Sequence, residues 1–266
     1  TLVQGRTGEA PGPLKCSKCG ETRSAERSRI TRKWYYAGFS PKHGLCEKCL
    51  EEQARKKNQK RRLIAIRDNI EQHMAGIGVP PKYLKCSFQT FRETPSNRAC
   101  LGACKEYARS ATAAGDPTGP TGLFLFGKYG TGKTHLAVAI ARELVLLDRK
   151  IFFTSVPRLL FEIRRAFQDG ATDTEEFYVK RYSSYEFLVL DDFGVEKTTE
   201  WARQTLDYII YERDNYLKPT IVTSNLSLDE IAEKIDGRIS SRLAGMARVI
   251  HFEGPDCRIN GAGGTR

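Results

Sequence analysis

The stretch LFLFGKYGTGKTHLA, residues 123–137, contains the features that decide the fold. Four apolar residues lead into a glycine-rich run, which ends in a lysine and a threonine and passes into a helical pattern. Residues 127–134 match G-x-x-x-x-G-K-[ST] in full, and this pattern between a strand and a helix is typical of a phosphate-binding loop. Glycines let the backbone turn its N–H groups toward phosphate oxygens, and the N-terminus of the next helix adds positive potential. The stretch therefore predicts a nucleotide site.

The side chains of this loop have separate predicted roles. Lys133 is expected to reach the β- and γ-phosphates, and Thr134 to supply a hydroxyl to Mg²⁺. The other predicted contacts come from the loop and the residue that follows it: Gly127, Lys128, Tyr129, Gly130, Thr131, Gly132 and His135. The loop thus predicts a nucleoside triphosphate bound with Mg²⁺.

Polar residues at the ends of two later apolar strands support the same site. In FLVLDDFG, Asp191 suits the Mg²⁺ shell, and Asp192 suits a residue that orients an attacking water. In TIVTSN, Asn225 is an amide placed to respond to the γ-phosphate. In GRISSRLAG, Arg238 and Arg242 lie one helical turn apart, a spacing suited to arginines that act on a neighbour's nucleotide. A carboxylate pair that caps a turn and ordinary surface arginines are the alternatives.

Strands and helices alternate from residue 123 onward. The predicted strands are 123–126, 151–154, 187–190, 220–223 and 248–252, and the predicted helices are 133–147, 156–168, 175–183, 200–216 and 228–235. Short, continuously apolar strands separated by helices predict a parallel sheet covered on both faces, an α/β fold.

Two pairs of cysteines lie near the N-terminus, Cys16 with Cys19 and Cys46 with Cys49. Two C-x₂-C pairs separated by 26 residues fit a zinc ribbon with four thiolate ligands. Four ligands leave no open position, so the predicted Zn²⁺ is structural. Disulfides or unligated thiols remain the alternative, and the other four cysteines are expected to be packed, reduced thiols.

Charge divides the 266-residue chain unevenly, because residues 1–75 carry a net +9 of the total +11. A basic region on a nearly neutral body favours an anionic partner such as nucleic acid, with a solvated basic helix as the alternative. Residues 51–75, without Gly or Pro, predict one charged helix. The predicted domains are a zinc ribbon at 1–50, a basic helical linker at 51–78 and an ATPase domain at 79–266.

Membrane attachment is not expected. No apolar run approaches the roughly 18 residues of a membrane helix. The N-terminal residues do not resemble a secretion signal, so we expect a cytoplasmic protein.

Taken together, the motifs resemble the AAA+ ATPases of the DnaC/IstB group, the helicase loaders and transposition helper ATPases. The resemblance covers roughly residues 79–258 and rests on GVPPKYLKCSF, GKYGTGKTHLA, LVLDDFG, KPTIVTSNL and GRISSRL. It implies a P-loop AAA+ fold with a parallel sheet between helices. The chain is expected to depart from the usual AAA+ pattern in having a reduced or absent C-terminal lid. Residues 127–134 then correspond to Walker A, and Asp191 with Asp192 to Walker B.

The resemblance also implies roles for residues beyond the Walker motifs. Asn225 resembles sensor 1, Arg242 the arginine finger with Arg238 beside it, and Arg258 the sensor 2 arginine. Most AAA+ ATPases have Glu where Asp192 stands, so slow, switch-like ATP hydrolysis is expected.

The function implied is an ATP-dependent replicative helicase loader that acts in DNA replication initiation. Its implied partners are the helicase, contacted through the N-terminal region, single-stranded DNA, and further copies of the ATPase domain. The alternative is a transposition helper of the IstB type. A small-molecule P-loop kinase is a third interpretation, which would not require the trans arginines and the basic N-terminal module.

The implied single-stranded DNA contacts are Arg164, Phe167, Thr199 and Trp201. Two helical segments between the strands at 151–154 and 187–190 resemble the insertion that lines the DNA path in this group. Arg164 and Phe167 pair a phosphate-seeking charge with a ring on one helical face. Packing in the core is the competing role for Phe167 and Trp201.

Overall fold

The computed structural model describes residues 12–27, 34–40, 43–111, 121–168, 175–195 and 199–257. The chain divides into two compact units, residues 1–65 and residues 66–266. Within the described residues, no helix is both long and apolar enough to cross a membrane.

Among its described residues, unit 1 has three antiparallel pairs of two-residue strands. The pairs are β1 Leu14–Lys15 with β2 Thr22–Arg23, β3 Glu26–Arg27 with β4 Trp34–Tyr35, and β5 Phe39–Ser40 with β6 Leu45–Cys46. Tyr36 and Phe39 are buried in one small cluster with the cysteines. The ring of Tyr36 therefore packs beside the cysteines in the small core of unit 1.

The single helix predicted for residues 51–75 is wrong in its extent. The structure has α1 at Glu47–Asp68 and α2 at Ile70–Gly76, separated by Asn69. Asn69 has φ −122° and ψ 35°, outside the helical range. Asp and Asn both favour helix ends over helix interiors, because their short polar side chains compete for backbone hydrogen bonds. Met74 in α2 is fully buried, so this second helix faces the core of unit 2.

Unit 2 is built around a five-stranded sheet whose described neighbours are all parallel. A 3₁₀ turn at Pro81–Tyr83 and helix α3 at Arg98–Ser110 precede it. The strands are β7 Gly122–Gly127, β8 Ile151–Ser155, β9 Phe187–Phe193, β10 Thr220–Ser224 and β11 Ala247–Phe252. Their order across the sheet is β11-β7-β10-β9-β8, so the phosphate-loop strand β7 lies next to β10, with β9 beyond it.

Six helices complete unit 2 among the described residues after β7. They are α4 Lys133–Leu146, α5 Val156–Gln168, α6 Glu175–Ser184, α7 Glu200–Asn215, α8 Leu228–Lys234 and α9 Gly237–Met246. The predicted α/β fold is confirmed, with two helices between β8 and β9 as expected.

Alternate residues of the strands enter two separate cores. Leu123 and Leu125 of β7 pack in the core that contains α3 and α4. Phe124 between them packs in the core that contains α5, α7 and α9. This alternation covers the sheet on both faces and leaves the C-terminal ends of the strands for the loops that form the site.

Candidate nucleotide-binding site

The glycine-rich loop connects the last residue of β7, Gly127, to the first of α4, Lys133. Gly130 and Gly132 have φ values of +71° and +97°, a region that L side chains rarely adopt. A Cβ on Gly132 would lie 2.6 Å from a ring carbon of Phe91, so space as well as conformation requires glycine here. Thr131 ties the loop together, since its hydroxyl donates to the carbonyl of Lys128 at 2.9 Å.

Lys133 is almost completely buried beneath the loop, with 7% of its surface exposed. Its ammonium donates to the carbonyl oxygens of Gly127 and Lys128, at 2.7 Å each. It also donates to Oδ1 of Asn225 at 2.9 Å. The lysine predicted to bind phosphate and the amide predicted to respond to it therefore lie in direct contact.

Asp191, near the end of β9, is buried and accepts two hydroxyl hydrogen bonds at the same oxygen, Oδ1. Thr134 donates at 2.9 Å and Thr223 of β10 at 2.6 Å. Burial raises the pKa of Asp191 above its ordinary value, and the two hydroxyls oppose that shift. A threonine hydroxyl beside a buried carboxylate offers hard oxygen ligands of the kind that Mg²⁺ prefers.

Asp192 is exposed, whereas the preceding residue, Asp191, is buried. It has φ +56°, one of three positive values among the described non-glycine residues. Its backbone N–H donates to the hydroxyl of Thr223 at 3.0 Å. Thr223 thus connects both aspartates, and the left-handed turn directs the second one toward the loop. Backbone strain of this kind concentrates at functional sites.

These residues open onto one cavity of about 400 Å³. Its described lining consists of Lys82, Tyr83, Tyr129, Gly130, Gly132, Lys133, Thr134, His135, Asp192, Val195, Asn225 and Cys257. Asp191 lies below this surface, within hydrogen-bond distance of Thr134. The predicted members of the site are therefore assembled around one space.

Four lining residues were not predicted: Lys82, Tyr83, Val195 and Cys257. The ammonium of Lys82 lies 4.5 Å from the centre of the Tyr83 ring. Both belong to the PPKYLK run that precedes the sheet, where the proline pair was the available signal for an ordered turn. The expectation of a packed thiol is wrong for Cys257, which is exposed. Its backbone N–H donates to the carbonyl of Gly130 at 3.0 Å and holds the residue beside the loop.

His135 anchors the start of α4 to the preceding segment. Its Nε2 lies 2.9 Å from the carbonyl oxygen of Ser87, and Phe91 packs edge-on against its ring at 5.2 Å. Burial lowers the pKa of His135, which favours the neutral ring. Lys128 and Tyr129 at the loop apex are exposed.

Arg238 and Arg242 lie on α9, and each has an acidic partner within unit 2. Arg242 donates to Asp207 of α7 and lies 4.9 Å above the ring of Tyr211. Arg238 lies 3.4 Å from Asp236. The predicted trans arginines therefore stand apart from the cavity lining of their own chain. Arg258 lies outside the described residues.

The predicted DNA contacts are partly brought together. The guanidinium of Arg164 on α5 lies 4.8 Å from the ring centre of Trp201 on α7, and Trp201 is half-buried against the core. Thr199 caps α7, accepting from the N–H of Ala202 at 3.2 Å. The side chain of Phe167 lies outside the described part. Phe161, one turn before Arg164, is 66% exposed and was not predicted.

The four paired cysteines of unit 1 converge. The sulfur atoms of Cys16, Cys19, Cys46 and Cys49 all lie within 4.8 Å of one another. A tetrahedral zinc with Zn–S bonds of about 2.3 Å separates its sulfurs by about 3.8 Å, so the cluster has suitable dimensions. Backbone hydrogen bonds from Cys19 and Cys46 lower the pKa of Cys16 to about 6 and favour its thiolate.

The parallel sheet, the loop that follows β7 and the buried carboxylate of Asp191 define a P-loop nucleotide-binding protein of the AAA+ class. The chain belongs to the family of IstB-like ATP binding proteins, whose family model matches residues 120–255. This match covers the phosphate-binding loop, both aspartates, Asn225 and the α9 arginines.

The chain is also similar to replicative helicase loaders, over more residues than the family model matches. The chain is 26% identical over 167 residues to the replicative helicase loader DnaC of Escherichia coli K12, covering 62% of this chain and 66% of DnaC. It is 29% identical over 177 residues to the replicative helicase loader DnaI of Bacillus subtilis 168, covering 62% of this chain and 55% of DnaI.

Solved structures give the same family of folds. A crystal structure of the DnaC helicase loader superposes with a TM-score of 0.57 and 26% identity, covering 65% of this chain and all of that one. The chain therefore spans about two thirds of DnaC and about half of DnaI.

Proposed function

We propose that this chain is an ATP-controlled replicative helicase loader. The proposal depends on one observation: the predicted nucleotide-binding residues surround a single cavity. The chain that contains them is similar to two proteins described as replicative helicase loaders. In it, Lys133 contacts Asn225 and Thr134 contacts Asp191 around one cavity.

In the proposed site, ATP binds with its phosphates on the loop. Lys133 exchanges its carbonyl partners for phosphate oxygens, and its contact with Asn225 connects phosphate binding to the end of β10. Thr134 and Asp191 are the residues that would hold Mg²⁺, which neutralises phosphate charge when bound. Tyr83 and Lys82 lie where they border the remaining part of the nucleotide.

Hydrolysis is assigned to Asp192 and to an arginine from a second copy. Asp192 is exposed to the cavity and positioned to orient a water for attack on the γ-phosphate. Its short carboxylate supports slow, switch-like turnover. Arg242 belongs to α9 and does not line its own cavity, which supports a role at a neighbour's nucleotide and hence self-association through the ATPase domain.

The proposed partners follow from this role. ATP binding would favour assembly and contact with single-stranded DNA, and hydrolysis would release the loader. The helicase contact is assigned to the N-terminal region, which contains the zinc cluster. Such a protein would act in the cytoplasm on the replication machinery.

Two experiments test the proposal in sequence. First, Lys133→Ala should abolish binding of a fluorescent ATP analogue, because the main positive charge on the phosphates is removed. Lys150→Ala, an exposed lysine on unit 2, is the control. Unchanged nucleotide affinity in Lys133→Ala would refute the site.

Second, the protein should co-purify with the replicative helicase of its own host and increase the amount of helicase loaded on single-stranded DNA. The alternative is a transposition helper, which the IstB-like family model supports. ATP-dependent stimulation of a transposase, with no helicase binding, would favour this alternative and overturn the loader.

A further inference from the structure

Helix α1 contains an unusual basic segment at residues 53–62, which belongs entirely to unit 1. All ten residues of this segment are exposed, so the described residues leave every side of the helix accessible there. Six of them are basic: Arg55, Lys56, Lys57, Lys60, Arg61 and Arg62. The sequence contains no acidic residue from 53 to 67.

This charge is unfavourable to the helix itself. Lys56 and Lys60, and likewise Lys57 and Arg61, stand at i and i+4, where like charges repel each other and destabilise a helix. Lys56 lies 2.9 Å from Glu52, but Lys18 also pairs with that carboxylate at 2.6 Å. A solvated linker helix does not require so many positive side chains close together. A polyanionic partner would neutralise them and remove their mutual repulsion.

The types of side chain are sorted around the helix. Arg55, Asn58, Gln59 and Arg62 stand at i, i+3, i+4 and i+7, so they share one face. At about 100° per residue, the three lysines and Arg61 occupy the remaining circumference. Arg, Asn and Gln can form paired hydrogen bonds with guanine and adenine edges, and lysine ammonium groups on the other sides of the helix can contact phosphates.

We propose that the basic segment of α1 is a duplex DNA-binding helix that lies in the major groove. A groove has phosphates on both walls and base edges at its floor, and at about 12 Å it admits one α-helix. A helix that is basic all round and has a face of base-reading side chains matches that arrangement. A flat acidic surface on a protein would be met by one basic face only.

The role of the lysine charge is tested by the binding of a fluorescent 30-base-pair duplex of random sequence to the whole 266-residue chain, purified without chelator. The variant Lys56→Gln/Lys57→Gln/Lys60→Gln should bind about tenfold or more weakly, and the slope of log K against log salt should flatten by about 2.7. The control Arg98→Gln/Lys234→Gln/Arg248→Gln removes equal charge from exposed positions of unit 2 and should change neither quantity.

The base-reading face of the helix is tested separately by the variant Asn58→Ala/Gln59→Ala, which leaves the net charge of the basic segment unchanged. We expect an unchanged salt slope, and less enrichment of particular sequences when the protein selects from a random duplex pool. Far-ultraviolet circular dichroism and zinc content should match the wild type for every variant, so loss of folding is detected.

Unchanged duplex affinity in the triple-lysine variant would overturn the proposal. This holds even if that variant no longer binds a protein partner. An equal loss on a single strand of the same length would overturn the groove assignment. The measurements are repeated without nucleotide and in Lys133→Ala, where duplex binding should persist. Failure of the ATP-dependent function is thereby distinguished from failure of this DNA contact.

Discussion

The hydroxyl of Thr134 donates to Oδ1 of Asp191 across 2.9 Å, connecting the first turn of α4 to the end of β9. Thr223 donates to the same oxygen from β10. A buried carboxylate is therefore held by two neutral donors, with the ammonium of Lys133 nearby as a further favourable charge. Burial of this charge is unfavourable, and a bound Mg²⁺ would offset that cost.

Asp191→Asn should stabilise the nucleotide-free protein and abolish Mg²⁺-dependent ATP hydrolysis. The amide oxygen still accepts from Thr134 and Thr223, while the cost of burying a charge disappears. Because burial raises the folded-state pKa of Asp191, its ionisation lowers stability as pH rises through that pKa. The gain in melting temperature should therefore be present at pH 8 and shrink as the pH falls toward the ordinary aspartate pKa of about 4.

The exposed Asp229→Asn is the matched control and should show no such pH-dependent gain. A melting temperature for Asp191→Asn below that of the wild type at every pH would contradict this account of the site.

Zinc should be bound at about one ion per chain, because the four sulfur atoms of unit 1 already lie within 4.8 Å of one another. Elemental analysis of protein purified without chelator measures the ratio. Cys46→Ser should release the metal and unfold unit 1, since so small a unit has little core apart from the cluster. ATP binding by unit 2 should remain, and Cys86→Ser should retain the zinc. Absence of zinc from the wild-type protein would sink the assignment.

Arg213 on α7 should be essential for the stability of unit 2. It is fully buried, and its guanidinium donates to the hydroxyl of Thr220 and to the carbonyl oxygens of Tyr182, Tyr185 and Pro219. Arg213→Met leaves those acceptors without their donor, so we expect a loss of about 3 kcal/mol or more in the free energy of unfolding. Urea denaturation measures it. The exposed Arg248→Met should change stability by less than about 0.5 kcal/mol.

Much of the fold could be predicted because the patterns were local. Each apolar strand of the sheet is short and bounded by polar or glycine residues, and the strands of the structure differ from the predicted ones by one to three residues at an end. The phosphate-binding loop is likewise contiguous, so its residues were identified together. Asp191 and Asn225 were found because polar side chains at strand ends are conspicuous.

Contacts between distant segments could not be predicted in this way. Tyr83 reaches the cavity from a turn that precedes the sheet, and Asp207 meets Arg242 across 35 residues. Nothing in the local pattern of α7 identifies Arg213 as a buried residue, since an arginine on a helix is usually exposed. The break at Asn69 was missed because no Gly or Pro marks it.

Arg242→Ala should bind ATP normally and lose hydrolysis, because the arginine is expected to serve the neighbouring copy's nucleotide. Mixing it with Lys133→Ala should restore part of the activity, since one competent interface can then form. Asp207→Asn is the matched control: it removes the partner of Arg242 but keeps the guanidinium, so hydrolysis should persist. No recovery at any mixing ratio would argue against the trans role.

The exposed ring of Phe161 on α5 is expected to contribute to the single-stranded DNA path. Phe161 and Arg164 stand one helical turn apart, and both are exposed. Phe161→Ala should weaken binding of a single-stranded oligonucleotide by about 1–3 kcal/mol, the typical value of one base stacked on a ring. Its melting temperature should not change, because an exposed ring contributes little packing. The equally exposed Tyr216→Ala, at the end of α7, should affect neither property.

Arg164→Ala should remove one phosphate contact and flatten the salt dependence of single-strand binding by about 0.7. Trp201 requires a milder change, because its ring is half-buried against the core and Trp201→Ala would also lower stability. Trp201→Phe keeps a ring in that position, so any effect on DNA binding then reports its contact with Arg164. If Phe161→Ala and Arg164→Ala both bind single strands as the wild type does, DNA does not follow α5.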